Sequence, residues 1–174
     1  MKIRIILYSI IVVIIVLVQS TVLNYLNIHA VKPNLVLVFT ILIALIKGIN
    51  YGATLGLVCG LMQDIISGRI MGIYAVIGLY TGVVVGLINK RLYKWNLAVS
   101  TAIVFLFTGL YELVICILLV YNLDEGISKI FYSIWDVIVP EAFYNSIVSS
   151  LIYFPIIKLE KHLEERLDKA TSRF

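Results

Sequence analysis

Few side chains in this sequence are of a type that does chemistry, and most of them lie inside or beside long apolar segments. Glu112 is the carboxylate well inside such a segment, whereas Gln63, Asp64, Glu141 and Asn145 lie near segment ends. An ionisable group is costly in lipid and is therefore a functional candidate. Glu112 either holds a proton or a cation, or is a protonated carboxyl that hydrogen-bonds Asn145 or a tyrosine. No span offers it a basic partner, which favours the structural interpretation.

The sequence lacks the spacing patterns of catalytic and metal sites. His29 and His162 are far apart and cannot share a metal, and Cys59 and Cys116 fall inside apolar blocks, where packed thiols are expected. A phosphate loop, an HExxH motif and a Ser/His/Asp arrangement are all missing. The sequence therefore predicts no catalytic residue, no metal, no cofactor and no enzymatic activity.

Two series of glycines recur at a spacing of four residues. They are Gly48, Gly52, Gly56 and Gly60 in the first series, and Gly78, Gly82 and Gly86 in the second. This spacing places each series on one face of a helix. Small residues let helix backbones approach closely, which is a main source of helix association in lipid. The two stripes either pack neighbouring helices of this chain together, as their adjacency favours, or leave one face for the transmembrane helix of a partner.

The apolar segments that carry these residues predict a membrane protein. Apolar residues make up 61% of the 174 residues and charged residues 14%, against about 25% charged residues in soluble domains. A spanning helix needs about 20 apolar residues, so the chain has room for five or six spans. The predicted helices cover residues 5–23, 33–49, 51–66, 72–88, 97–121 and 137–159. They form an all-α transmembrane domain over residues 1–160, followed by an amphipathic cytoplasmic tail over residues 161–174.

The second and third predicted helices are short for a membrane crossing. The uninterrupted apolar run from Leu35 to Ile46 rises only about 18 Å, less than the roughly 30 Å of the hydrocarbon core. These helices either span fully, with Lys47 extending towards the aqueous side, or form a re-entrant hairpin. Full spanning is favoured.

Basic residues predict the orientation. If the amino terminus is cytoplasmic, eleven basic residues lie inside and only Lys32, Arg69 and Lys129 lie outside. This asymmetry follows the positive-inside rule and places both termini in the cytoplasm. The longest outer loop, around Asp124 to Asp136, is net acidic, and the inner loop from Asn89 to Asn96 is strongly basic. Basic residues at segment ends also explain the net charge of +4 without a nucleic-acid partner.

Several residues occur in a distinctive order along the chain. They are Gln19-Ser20 at the end of the first helix, Pro33-Asn34-Leu35, Gly48, Gly52, Gly56-Leu57-x-x-Gly60-Leu61-x-x-Asp64, Gly72, and later Asn145 and Pro155. This order resembles the rod shape-determining protein MreD family and is most specific between Gln19 and Gly72. One departure is Asn34, where the family commonly has Pro-Asp-Leu, which puts in question any role that needs a negative charge there.

The resemblance implies a non-enzymatic component of the bacterial cell-elongation (rod) complex in the cytoplasmic membrane. The implied partners are the membrane protein MreC and, through it or directly, MreB and the peptidoglycan synthases. The resemblance also implies a fold like that of the membrane substrate-binding subunits of vitamin transporters. The alternative is a substrate-binding subunit or small transporter, which needs several convergent polar groups at mid-depth. In the sequence only Glu112 and a few tyrosines qualify.

Overall fold

The computed structural model describes residues 2–21, 31–68, 71–88, 96–122 and 132–171. Their long elements are all helices, which confirms the all-α fold class. The helices are α1 (Lys2–Thr21), α2 (Leu35–Lys47), α3 (Ile49–Ser67), α4 (Ile73–Ile88), α5 (Leu97–Asn122) and α6 (Val139–Thr171), with a π-helical turn, Ile134–Ile138, directly before α6. Most of the predicted outer loop and of the basic inner loop lies outside the described residues.

Helix α2 is the centre of the bundle. Every residue from Val36 to Ile46 is buried, and α2 contacts α1, α3, α4, α5 and α6. A helix that is apolar all round its circumference can be enclosed by other helices or by lipid, and in this protein other helices enclose α2. Its thirteen residues span only about 20 Å. Because its neighbours shield it from lipid, α2 does not itself have to match the thickness of the bilayer.

Three of the described helices are long and apolar enough to cross a membrane. They cover Ile49–Ser67, Leu97–Leu118 and Ile134–Glu165. Three shorter apolar helices cover Leu7–Thr21, Leu35–Lys47 and Ile73–Ile88. The length of α3 favours full spanning over a re-entrant hairpin, while the count of six spans stays a prediction.

The turn between α2 and α3 lies at Gly48, not at residue 50 as the predicted helix limits imply. Gly48 has a φ of 87°, a left-handed conformation that residues with a side chain rarely adopt. Gly72, just before α4, has a φ of 98° for the same kind of turn. Both glycines are therefore required by the backbone conformation rather than by a helical packing face.

Helix α6 crosses the predicted limit between the transmembrane domain and the tail at residue 160, as expected for a tail that continues the last helix. It continues through Pro155 to Thr171, and Leu163 is buried against the bundle. The first turns of the predicted cytoplasmic tail are therefore an extension of the last helix. The side chains beyond Glu165 lie outside the described residues, so the amphipathic character of the tail stays a prediction.

Candidate functional site

A network of polar side chains surrounds the N-terminus of α2. The Asn34 side chain caps the helix by accepting a hydrogen bond from the Leu37 amide at 3.1 Å, and α2 begins after this residue rather than at Pro33. The Val36 amide donates to Gln19 Oε1 at 3.2 Å, which ties the end of α1 to the start of α2. Capping by an oxygen acceptor satisfies amides that the first helical turn leaves without partners. We call this end of the bundle the Asn34 end.

The same network joins α2 to α3, α5 and α6. The Asn34 amide donates to Asn145 Oδ1 at 2.7 Å, and Asn145 Nδ2 donates to Thr108 Oγ1 at 3.3 Å. Gln63 Nε2 donates to Asn34 Oδ1 at 2.8 Å, and the Tyr111 hydroxyl donates to Gln63 Oε1 at 2.9 Å. Buried polar groups that are hydrogen-bonded in this way fix the relative positions of helices in lipid.

Asp64 anchors the start of α4. Its carboxylate accepts hydrogen bonds from the amides of Tyr74 at 3.0 Å and Ala75 at 3.1 Å, and the residue is only 2% exposed. A carboxylate there satisfies helix-terminal amides and interacts favourably with the helix dipole. Asp64 of the sequence motif thus caps α4 with its carboxyl oxygens, whereas the cap of α2 at Asn34 uses an amide oxygen.

Glu112 has a partner that the sequence did not indicate. Its carboxyl is hydrogen-bonded to that of Glu141, a partner other than Asn145 or a tyrosine, the two candidates from the sequence. The reason is the antiparallel pairing of α5 and α6. Thr108 faces Asn145, so Glu112, one turn further along α5, faces Glu141, one turn earlier along α6.

A cavity of about 380 Å³ lies at the Asn34 end, beside the carboxyl pair. Gln19, Asn34 and Gln63 line it together with Glu112 and Glu141, and Lys32, Ser20, Ser67 and Tyr74 complete its polar wall. Val16, Pro33, Val36 and Ile66 supply apolar surface. The cavity is therefore formed largely by residues of the sequence motif and their hydrogen-bond partners.

A second polar cluster lies at the opposite end of α2. Lys47 Nζ is 2.6 Å from Glu160 Oε2 and 2.7 Å from Glu164 Oε1, and the Tyr8 hydroxyl donates to Glu160. Glu160 is 2% exposed and Glu164 is 48% exposed. This cluster, the Lys47 cluster, connects α1, α2 and α6. The spacing of four residues between the two glutamates places both on the helical face that meets Lys47.

The glycine stripes face each other between α3 and α4. A Cβ added at Gly56 would collide with the backbone of Gly78, and one added at Gly52 with the backbone of Gly82. A Cβ at Gly86 would lie 2.5 Å from Ile49 Cα. Both stripes are thus used inside the chain, so neither is available to a partner's helix. Gly48 differs from the predicted packing role, because it forms the turn before α3.

The structure brings Gln19, Asn34, Gln63 and Asn145 together although they are distant in sequence. Of the other motif residues, Pro33 precedes the cap, Leu35 is the first residue of α2, and Gly72 forms the turn before α4. Sequence reasoning missed Glu160, Tyr8 and Tyr111 as partners in buried contacts. The sequence did contain an indication for Glu160. Glu160 and Glu164 lie four residues apart on the predicted cytoplasmic side, where Lys47 ends α2.

Helices of this length and apolar character, joined at their ends by buried polar contacts, define a helical integral membrane protein. The sequence profile of the family described as rod shape-determining protein MreD matches residues 1–163, nearly the whole chain. The chain therefore belongs to the MreD family of rod-shape-determining membrane proteins, which confirms the resemblance found in the sequence. Searches of curated proteins and of solved structures found no match.

Proposed function

We propose that this protein is a non-enzymatic component of the bacterial cell-elongation complex, that it resides in the cytoplasmic membrane with both termini inside, and that it binds MreC. The observation that carries the proposal is the family match over residues 1–163. MreB and the peptidoglycan synthases would then be reached through MreC or directly. The charge asymmetry of the sequence supports the orientation.

The polar side chains near the Asn34 end hydrogen-bond one helix to another, which supports an assembly role. The buried amides of Asn34 and Asn145 make hydrogen bonds between helices, and Asp64 holds the start of α4. Each contact stabilises the bundle. A bundle that is rigid in lipid offers fixed surfaces on which a partner's helix packs, and this is what a membrane scaffold requires.

The surface that we propose for the MreC transmembrane helix is a shallow groove between α5 and α6. Ala98 and Ala102 on α5 and Ser146 and Ser150 on α6 line it, together with Leu97, Thr101 and the edge-to-face pair of Phe105 and Phe143. The two alanines and the two serines are each spaced by four residues, so small side chains follow one another along the groove. Ser146 and Ser150 donate to backbone carbonyls of α6, which lowers the cost of placing their hydroxyls beside an apolar helix.

A co-purification experiment tests the proposal. Ala102→Trp fills the groove, and Leu110→Trp places the same bulk on an exposed part of α5 outside the groove. MreC should co-purify from native membranes with the unmodified chain and with the Leu110 variant, and be lost with the Ala102 variant at equal abundance. Absence of MreC from every sample would contradict the proposed partner. Equal recovery with both variants would contradict the groove.

The alternative is a substrate-binding subunit of a transporter. The observation that favours it is the cavity beside Glu112 and Glu141, which gathers more polar groups than the sequence predicted. A transport role predicts uptake of a solute that depends on this chain in reconstituted vesicles, whereas the proposed scaffold role predicts none.

A further inference from the structure

The cavity at the Asn34 end has the size and the polar wall of a ligand site. Its volume of about 380 Å³ falls within the roughly 300–1,000 Å³ of small-molecule sites. It lies at one end of the bundle, where α1 and α3 end and where α2 and α4 begin. Hydrogen-bonded amides of Asn34 and Gln63 form part of its wall.

The carboxyl pair sets the charge of this site. A hydrogen bond between two carboxyl groups contains one shared proton, because both groups cannot be charged at that distance. The pair of Glu112 and Glu141 therefore holds at most one negative charge, in a partly buried position. A primary ammonium group complements it well, since it carries one positive charge and three hydrogen-bond donors.

A positive side chain lines the same cavity. Lys32 is exposed and close enough to Glu141 to act on it electrostatically. A ligand that carries an anionic group beside its ammonium group would thus meet charges of the opposite sign at both groups. A metal ion fits less well, because the described residues contain no group of three or more potential metal ligands.

We propose that this cavity binds a small zwitterion with a primary ammonium group, which lies against Glu112 and Glu141, and an anionic group, which lies towards Lys32. Phosphoethanolamine has this chemistry, either as the headgroup of an aminophospholipid or as a free molecule. The inference does not depend on MreC binding, so failure of either proposal leaves the other standing.

The test compares ligands that differ only at the nitrogen. The full chain is placed in phosphatidylcholine nanodiscs, and its melting temperature is measured while phosphoethanolamine or phosphocholine is added. Phosphocholine keeps the phosphate but has no N–H donor. At about 100 times the dissociation constant, phosphoethanolamine should raise the melting temperature by about 5 °C or more, and phosphocholine should not.

A second arm identifies the source of the ligand. Part of the phosphatidylcholine is replaced by phosphatidylethanolamine, and native mass spectrometry records which lipid stays bound. Stabilisation by the lipid alone assigns the site to a headgroup, and stabilisation by free phosphoethanolamine assigns it to a soluble ligand. Equal melting temperatures for the ethanolamine and choline compounds in both arms would overturn the proposal.

Variants locate the binding site. Replacing both Glu112→Gln and Glu141→Gln removes every carboxyl of the pair and should abolish the difference between the two compounds. Glu164→Gln removes a carboxylate at the other end of the bundle and should preserve it. Persistence of the full difference in the double variant, Glu112→Gln with Glu141→Gln, would overturn the assignment. If that variant does not fold, the comparison of the two compounds on the unmodified chain still decides the question.

Discussion

The close contact between α3 and α4 predicts that a methyl group added at one of the contact glycines pushes these two helices apart. A Cβ built on Gly78 lies 2.5 Å from the carbonyl oxygen of Gly56, whereas ordinary contact begins at 3.4 Å. Gly78→Ala therefore requires the backbones to move apart by about 1 Å, since both colliding groups belong to helices. A gap of that size forfeits a quarter to a half of the dispersion energy of the affected contacts.

The matched control is Gly109→Ala in α5. Gly109 also lies inside a helix, but a Cβ built on it meets no atom within 4 Å. The gain in helix propensity, about 1 kcal/mol, applies to both variants and cancels in their comparison. The remaining difference is the cost of overpacking, about 1–3 kcal/mol, or about 5- to 140-fold in the unfolding equilibrium.

The assay is reversible unfolding in mixed detergent micelles, followed by far-UV circular dichroism with added denaturing detergent. Gly78→Ala should unfold at lower denaturant than Gly109→Ala, and Gly56→Ala should behave like Gly78→Ala. If Gly78→Ala and Gly109→Ala had the same free energy of unfolding, the two stripes would not be in close contact and the packing argument would be refuted.

Three further predictions concern the ends of the bundle. Lys47→Met leaves a buried carboxylate without its cation and should lower the free energy of unfolding by about 3–5 kcal/mol. Glu164→Gln changes an exposed position and should lower it by less than about 1 kcal/mol. Equal losses for the two variants in the same unfolding assay would contradict this prediction. Asn34→Asp retains the cap oxygen and should keep the melting temperature near that of the unmodified chain. Asn34→Leu removes the cap and should lower the melting temperature, with a loss of about 1–3 kcal/mol in the free energy of unfolding. In a cysteine-free background, an impermeant thiol reagent should label Ser128→Cys but not Thr171→Cys in intact cells; the reverse pattern would invert the topology.

Much of the architecture could be predicted because membrane helices have strong signals in sequence. Apolar length predicted the helices, and the spacing of four placed Gly52, Gly56 and Gly60 on one face, where the structure indeed has them against α4. Positive φ angles at Gly48 and Gly72 leave a weaker signal, because a turn glycine and a packing glycine look alike in sequence. The turn at Gly48 was therefore missed.

The partners of buried polar residues could not be predicted, since they depend on the register between helices. Asn145 or a tyrosine was the expected partner of Glu112, but the observed register places Asn145 against Thr108 and Glu112 against Glu141. A shift of one helical turn, about 5.4 Å, exchanges these partners. The apolar pattern of the two helices does not specify their register, because both registers place apolar side chains towards lipid.

The central position of α2 needs an explanation other than its apolar character. In water, burial would be enough, but lipid chains are as apolar as leucine, so an apolar helix gains little by moving from lipid into a bundle. Polar residues at the two ends of α2 make the contacts that hold it in the bundle. Asn34 is bonded to Asn145 of α6 at one end, and Lys47 is paired with Glu160 of α6 at the other.

The spacing of these contacts matches along both helices. Asn34 and Lys47 are separated by a rise of about 20 Å, and Asn145 and Glu160 by about 22 Å. Helix α6 therefore runs beside α2 and contacts it at both ends. If one of these polar contacts is lost, the other still connects the two helices. It follows that the polar ends, rather than the apolar core, determine which helix lies in the middle of this protein.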